Sequence, residues 1–307
     1  MPKIRYITKR FNSKTLVLID QCNTIITSYQ AQGYDLTVRQ LYYRLVASDL
    51  IPNRVKEYKR LVRVLSEARL TGMVDWYAIT DRTRAVRGNS HWDNGKHLVE
   101  SAARQFMVDW WETQPFRPEV WIEKDALIGV IGRICKDLDV PYFSCRGYSS
   151  LSEVWRAMRR MEYYTNAGQT PFIIHLADHD PSGIDMSRDI VDRLDTFNLF
   201  PDFKRLALNM DQVQQYNPPP NPTKMTDSRA PGYVYTFGYD SWELDALDPK
   251  VINDLIEAVI LDIRDDDKHK ETLEREECER ERLGRAVDFI TDDMEDNPCD
   301  EGDDENG

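Results

Sequence analysis

Phe172-Ile173-Ile174-His175-Leu176-Ala177-Asp178-His179-Asp180-Pro181-Ser182-Gly183 is a short apolar run that breaks into turn residues, the pattern of a buried strand. Side chains on a strand alternate faces with period two, so Asp178 and Asp180 are expected to point the same way where the strand stops. Ser182 is then placed to N-cap a following helix, with Asp185 three residues on in a capping-box relation. His179, between the two acids, faces away by the same alternation. In an open parallel sheet, ligands gather outside the carboxyl ends of the strands. Two carboxylates converging there suit Mg²⁺, which prefers oxygen ligands at about 2.0–2.1 Å and keeps several waters.

Working outward, the residues on either side of this stretch alternate between strands and helices. Val120-Trp121-Ile122 reads as a strand followed by Glu123-Lys124-Asp125 and a helix from Ala126. Val140 to Cys145 is a second strand, followed by Arg146-Gly147-Tyr148 and a helix from Ser152, and Leu206-Ala207-Leu208 is a fourth. This order predicts an α/β fold with a mainly parallel sheet and helices on its faces. The Asn217-Pro218-Pro219-Pro220-Asn221-Pro222 run predicts an extended loop, and Trp242 to Leu247 opens a closing helical segment. Glu243 and Asp245 read there as exposed helix acids, the alternative being that they approach the metal.

The front of the chain is helical. Residues 15–31 carry apolar positions at helical spacing, and Gly33 is a plausible C-cap. Thr37 and Gln40 form a capping box ahead of the stripe Val38, Leu41, Tyr42, Leu45 and Val46. Tyr43 lies off that stripe, beside Arg39 four residues back. After a turn at Ile51-Pro52-Asn53, a second helix has Tyr58, Leu61, Val62 and Leu65 on its apolar side and Arg54, Lys56, Lys59, Arg60 and Arg63 on its other surface. Val74 to Ile79 reads as a strand, followed by a loop with Arg82, Arg84 and Arg87. This is a winged helix-turn-helix order, and the one-signed charge points to phosphate contacts. A helix from Val99 to Trp110 follows, and Pro115 and Pro118 mark the expected boundary. The expected domains are thus 1–114, 115–265 and a charged helix with an acidic disordered tail over 266–307.

Charge divides along the same line. The chain of 307 residues carries a formal charge of −13, yet residues 1–110 hold 18 Lys/Arg against 10 Asp/Glu, a net of +8. Nine acids lie in the last 17 residues with no base among them. Such asymmetry fits a nucleic-acid contact in front and a solvating tail behind. The five cysteines are scattered and never form a C-x-x-C pair, which argues against a zinc site or disulfide framework and fits a reducing, cytoplasmic setting. No run reaches the roughly 18 apolar residues of a membrane span. No Walker A loop and no G-x-G-x-x-G opening a helix is present.

Glu123, at the end of the first strand of the α/β region, supplies a third carboxylate. Ile122-Glu123-Lys124-Asp125-Ala126 and Asp178-His179-Asp180-Pro181-Ser182-Gly183 resemble the glutamate and D-x-D motifs of a Toprim domain, the metal-binding module of topoisomerases, primases and some nucleases. Val38-Arg39-Gln40-Leu41-Tyr42-Tyr43 resembles the nucleophile motif of the topoisomerase VI A subunit and the related meiotic double-strand-break transesterase. The order of the three motifs is similar to that of this family, and the compact chain looks like its small stand-alone members from mobile elements and viruses. The resemblance implies a winged-helix domain followed by a Toprim domain. Tyr43 would be the nucleophile and Arg39 a phosphate ligand, with Glu123, Asp178 and Asp180 binding Mg²⁺. It also implies a homodimer on double-stranded DNA, the tyrosine of one protomer meeting the metal of the other, and a separate ATPase B-type subunit as partner. Lys56, Lys59, Arg60, Arg63, Arg82, Arg84 and Arg146 are the candidate DNA contacts. The alternatives are a Toprim nuclease that activates water and a non-catalytic DNA-binding subunit.

Overall fold

The computed structural model describes residues 3–34, 36–79, 89–145 and 151–296. Helix α1 (Ser13–Ala31) is capped by Asn12, whose side chain accepts the Thr15 N–H. Helix α2 (Val38–Ala47) begins with the predicted Thr37/Gln40 capping box, both of its hydrogen bonds in place. Helix α3 (Val55–Leu70) follows the Pro52 turn, and helix α4 (Gly95–Gln105) is capped by Asn94. Next come strand β1 (Phe116–Ile122), a single 3-10 turn, helix α5 (Ile128–Asp137), strand β2 (Tyr142–Ser144) and helix α6 (Leu151–Asn166). Strand β3 (Thr170–Leu176), helix α7 (Pro181–Asp195), strand β4 (Asp202–Ala207) and helix α8 (Met210–Tyr216) complete the α/β alternation. Strand β5 (Asn221–Pro222), at the end of the run predicted to be an extended loop, pairs antiparallel with strand β6 (Asp240–Ser241) around helix α9 (Ala230–Phe237). Helices α10 (Pro249–Ile263) and α11 (Asp266–Asp296) close the described chain.

The four-stranded sheet is parallel throughout, in the order β2-β1-β3-β4. Trp121 on β1 and Ile173 on β3 share a core with Val154, Ala157 and Met161 of α6 and Ile190 and Leu194 of α7. Helix α10 packs on α5. The chain leaves β1 for β2 on one side and returns to β3 on the other. The carboxyl ends of β1 and β3 therefore flank the crevice where an open parallel sheet binds ligands.

The chain divides into two compact units, residues 1–85 with 116–263 and residues 86–115 with 264–307. This grouping differs from a division at 114 and 265. In the first unit, α1, α2 and α3 share one core that also takes in Ala246, and Tyr34 and Asn53 hydrogen-bond to Asn253 and Asn221. In the second unit, α4 packs on α11. Buried Glu276 there accepts the Val108 N–H and the Trp110 indole N–H.

Several expected elements differ, and the helix expected from Val99 to Trp110 ends at Gln105, where Phe106 turns extended. Val74 to Ile79 forms turns rather than a strand, with one isolated bridge between Leu36 and Ile79. Asp75 folds the backbone back, its carboxylate accepting the Tyr77 N–H, which outweighs the strand propensity of the flanking apolar residues. Helix α11 also continues past Thr291, where disorder was expected. Pairs such as Arg280–Glu276 and Arg282–Glu279 brace the helix at i,i+4 and i,i+3. The tail from 297 lies outside the described residues. Among the described residues, no helix is long and apolar enough to cross a membrane.

Candidate active site

The carboxylates at the crevice are held by the backbone that ends the strands. Glu123 follows β1, donates its N–H to the Leu176 carbonyl, and accepts the Asp178 N–H at 2.9 Å. The loop after β1 is thereby stitched to the loop after β3. Arg205 of β4 fixes the same turn from behind, donating to the carbonyls of Asp178 and Gly183 and to the Ser187 hydroxyl.

The D-x-D residues do not continue the strand alternation, because β3 ends at Leu176. Asp178 is buried, accepting the Lys124 ammonium at 2.8 Å on one oxygen and the Leu244 N–H at 2.8 Å on the other. Asp180, rather than Ser182, caps α7, accepting the Gly183 N–H, with Pro181 in the first turn. Pro181 explains the shift, since the ring is pre-set for the first helical position and moves the cap one residue upstream of it. His179 is turned away from the acids, as expected, against Tyr233, Phe237 and Trp242.

Lys124, which was given no role from the sequence, and the segment after β6 hold the rest of the site. The Lys124 ammonium also reaches Glu243 at 2.6 Å and Asp245 at 3.2 Å. Arg39 of α2 pairs with the same two acids, meeting Asp245 at 2.8 Å, and donates to the Tyr43 hydroxyl at 3.4 Å. One ion-pair network thus links Tyr43 and Arg39 to Asp178 within a single chain. Asp245 is buried and Glu243 half-buried, so they are not exposed helix acids. The signal in the sequence was their apolar setting, Trp242, Leu244, Ala246 and Leu247, which alternates around them.

Tyr43 is as buried as Tyr42, each 4% exposed, whereas the helical stripe placed it outside the core. The segment from Asn221 and the Glu243 loop cover its flank, contacts that no local periodicity encodes. Burial first, then the charges of Glu243 and Asp245, push its phenol up to about 12, against the lowering effect of Arg39 and of a hydrogen bond to Asn221. Asp180, Ser182, Asn221, Lys224, Trp242 and Glu243 line a pocket, and Tyr43 is not among its walls.

Burial, then the opposing effects of Lys124, Glu123 and Asp245, leave the Asp178 carboxyl up at about 7. Burial also raises Glu123, with the charge of Asp180 adding to it. Among the described residues, neither Glu123 nor Asp180 forms an ion pair, and both are partly open to solvent. Two partly open carboxylates fit a hard divalent cation in kind, although the charges of Lys124 and Arg205 already act on Glu123. No group of three His, Cys, Asp or Glu side chains among the described residues is arranged to hold one ion. The expected convergence of three acids is therefore replaced by two open carboxylates and a third engaged by Lys124.

Lys56, Lys59 and Arg63 are exposed on α3, while Arg60 pairs with Glu57 at 3.1 Å. Arg82, Arg84 and Arg146 lie outside the described residues. No family model, curated protein or solved structure matches the chain.

Proposed function

We propose that this chain is a Mg²⁺-dependent DNA-cleaving transesterase built as a winged-helix module joined to a Toprim-like α/β module. The observation that carries this reading is the network itself. The tyrosine-bearing helix is joined to Asp178, after β3, through Arg39, Glu243 and Lys124, and Glu123, after β1, accepts the Asp178 N–H. The motif resemblance of Tyr43, Glu123, Asp178 and Asp180 points the same way.

In the reaction, the Tyr43 oxygen attacks a backbone phosphorus and the bond from phosphorus to the 3′ oxygen breaks. The phenolic proton leaves to solvent and the 3′ oxygen takes one up. The product is a 5′-phosphotyrosyl linkage and a free 3′ hydroxyl, with the phosphodiester conserved and the step reversible. Arg39, adjoining the phenol, is placed to bind the phosphate and favour the phenolate. Glu123 and Asp180, with Asp178 once Lys124 withdraws, would hold Mg²⁺, which supplies charge stabilisation at the transferring phosphate. Exposed Lys56, Lys59 and Arg63 would track the duplex backbone. A homodimer on double-stranded DNA, with or without an ATPase partner, belongs to the same reading.

The burial of Tyr43 favours a second reading, a nuclease in which the same carboxylates activate water. Incubation with supercoiled plasmid and Mg²⁺, with and without protease before electrophoresis, tests both. Transesterification requires protein on the 5′ ends and loss of cutting in Tyr43→Phe. Undiminished cutting by Tyr43→Phe, with protein-free ends, establishes the nuclease instead.

A further inference from the structure

At the amino end of β1, about 20 Å along the strand from Glu123 at ~3.3 Å per residue, a separate pocket of about 480 Å³ is lined by Arg117, Arg159, Arg160, Tyr163 and Tyr164. Its floor is built from the interior. Buried Glu119 accepts Arg160 through Nε and Nη2, both at 2.9 Å, and the Trp121 indole N–H at 3.0 Å. That fork fixes the Arg160 guanidinium and leaves its remaining N–H groups for another partner. Arg117 lies over the Tyr164 ring at 4.8 Å. Tyr163 stands edge-on to Tyr164, at 5.9 Å between centroids, and is 71% exposed. Arg159, on the rim, forms an exposed pair with Glu162, a type of contact that contributes little.

The geometry points to a binding site for a nucleoside-phosphate unit, its base stacked on Tyr163 and its phosphate taken by Arg159, Arg160 and Arg117. Clamping α6 to β1 needs only the Glu119–Arg160 fork and explains neither the outward ring nor the outward guanidinium. Arginine forks match phosphate oxygens in pairs, and an exposed aromatic face beside them accepts a base of any identity. A simple anion would use the arginines and leave the ring idle.

The unit can come from a single strand or from a free nucleotide, and one assay separates them. The full chain in EDTA at low salt is dialysed to equilibrium against radiolabelled 5′-phosphorylated (dT)₄, with dTMP or unlabelled (dT)₄ as competitor. The assay has no cleavage step, so its outcome is independent of Tyr43 chemistry. Because both side chains are exposed, Tyr163→Leu and Arg159→Gln leave the fold intact. Tyr163→Leu should weaken binding at least fivefold, as expected for loss of one stacked base, and Arg159→Gln severalfold. Displacement by dTMP at concentrations comparable to (dT)₄ assigns the site to free nucleotides; displacement by (dT)₄ alone assigns it to a strand. No binding by the wild-type chain, or equal binding by both variants, overturns the inference.

Discussion

His175, on β3, is sealed from solvent, its Nδ1 against the Ser187 hydroxyl at 2.9 Å and Arg205 bonded to the same hydroxyl. Burial, with the Arg205 charge adding to it, drops its imidazole from the ordinary 6.5 to about 3. Its folded pKa is depressed, so the folded state keeps the ring neutral while the unfolded chain takes up a proton below about 6.5. Stability from this residue is therefore complete above that pH and lost as pH falls toward 3. Between pH 7 and 5 the loss is about 2 kcal/mol. Urea denaturation of His175→Gln at both pH values should show a drop smaller than wild type by that amount. Equal drops in the two proteins would remove His175 as the source. A single strand pattern could indicate that His175 is interior, yet not that a cation, Arg205, stands beside the same Ser187 hydroxyl. Tyr43 shows the same limit from the other side. Its helix was legible down to the capping box, but the cover over its ring comes from residues about 180–200 positions away.

The turn between β3 and α7 combines two requirements in six residues. Asp180 caps the helix through the Gly183 N–H, and Gly183 lies so close to Asp178 that a Cβ there would stand 2.2 Å from the Asp178 carbonyl oxygen. Gly183→Ala must push the turn apart and should destabilise by about 1–3 kcal/mol, as overpacking does, read as a lower urea midpoint. For Asp180, the cap and the proposed chemistry separate by substitution. Asp180→Ala loses the cap and should lower stability by about 1 kcal/mol, whereas Asp180→Asn, a good cap, should change it by only a few tenths. Both remove a carboxylate, so both should abolish Mg²⁺-dependent plasmid cleavage. Full cleavage by Asp180→Asn would leave the residue a helix cap and nothing more. At this scale the sequence was informative about the sheet, because buried parallel strands announce themselves as apolar runs ending in turn residues. It misassigned the cap and the strand at Val74 to Ile79, where a single Asp or Pro redirects the backbone against the local pattern.

Across the whole first unit, the same charges that bring the proposed reactants together also hold them shut. Lys124 stands among Asp178, Glu243 and Asp245, staying protonated despite its burial because three carboxylates surround it. Arg39 bridges Glu243 and Asp245 to the phenol, and the phenol is covered. DNA cannot reach a ring 4% exposed, so catalysis under the proposed function requires the segment from Trp242 to Leu247 to lift from α2. Glu243 is the residue whose removal weakens that closure most selectively, since it is half-buried and among the described residues pairs with Arg39 and Lys124 alone, whereas Asp245 is buried and its loss would strand two cations. Nitration by tetranitromethane, followed by peptide mass spectrometry, reads the accessibility of each tyrosine. In the wild-type chain without DNA, exposed Tyr163 and Tyr235 should react while Tyr43 stays protected. In Glu243→Gln, Tyr43 should become reactive with Tyr29 still protected, the signature of a local opening rather than of unfolding. Protection of Tyr43 unchanged in that variant would mean that apolar packing, not the ion-pair network, keeps the site closed.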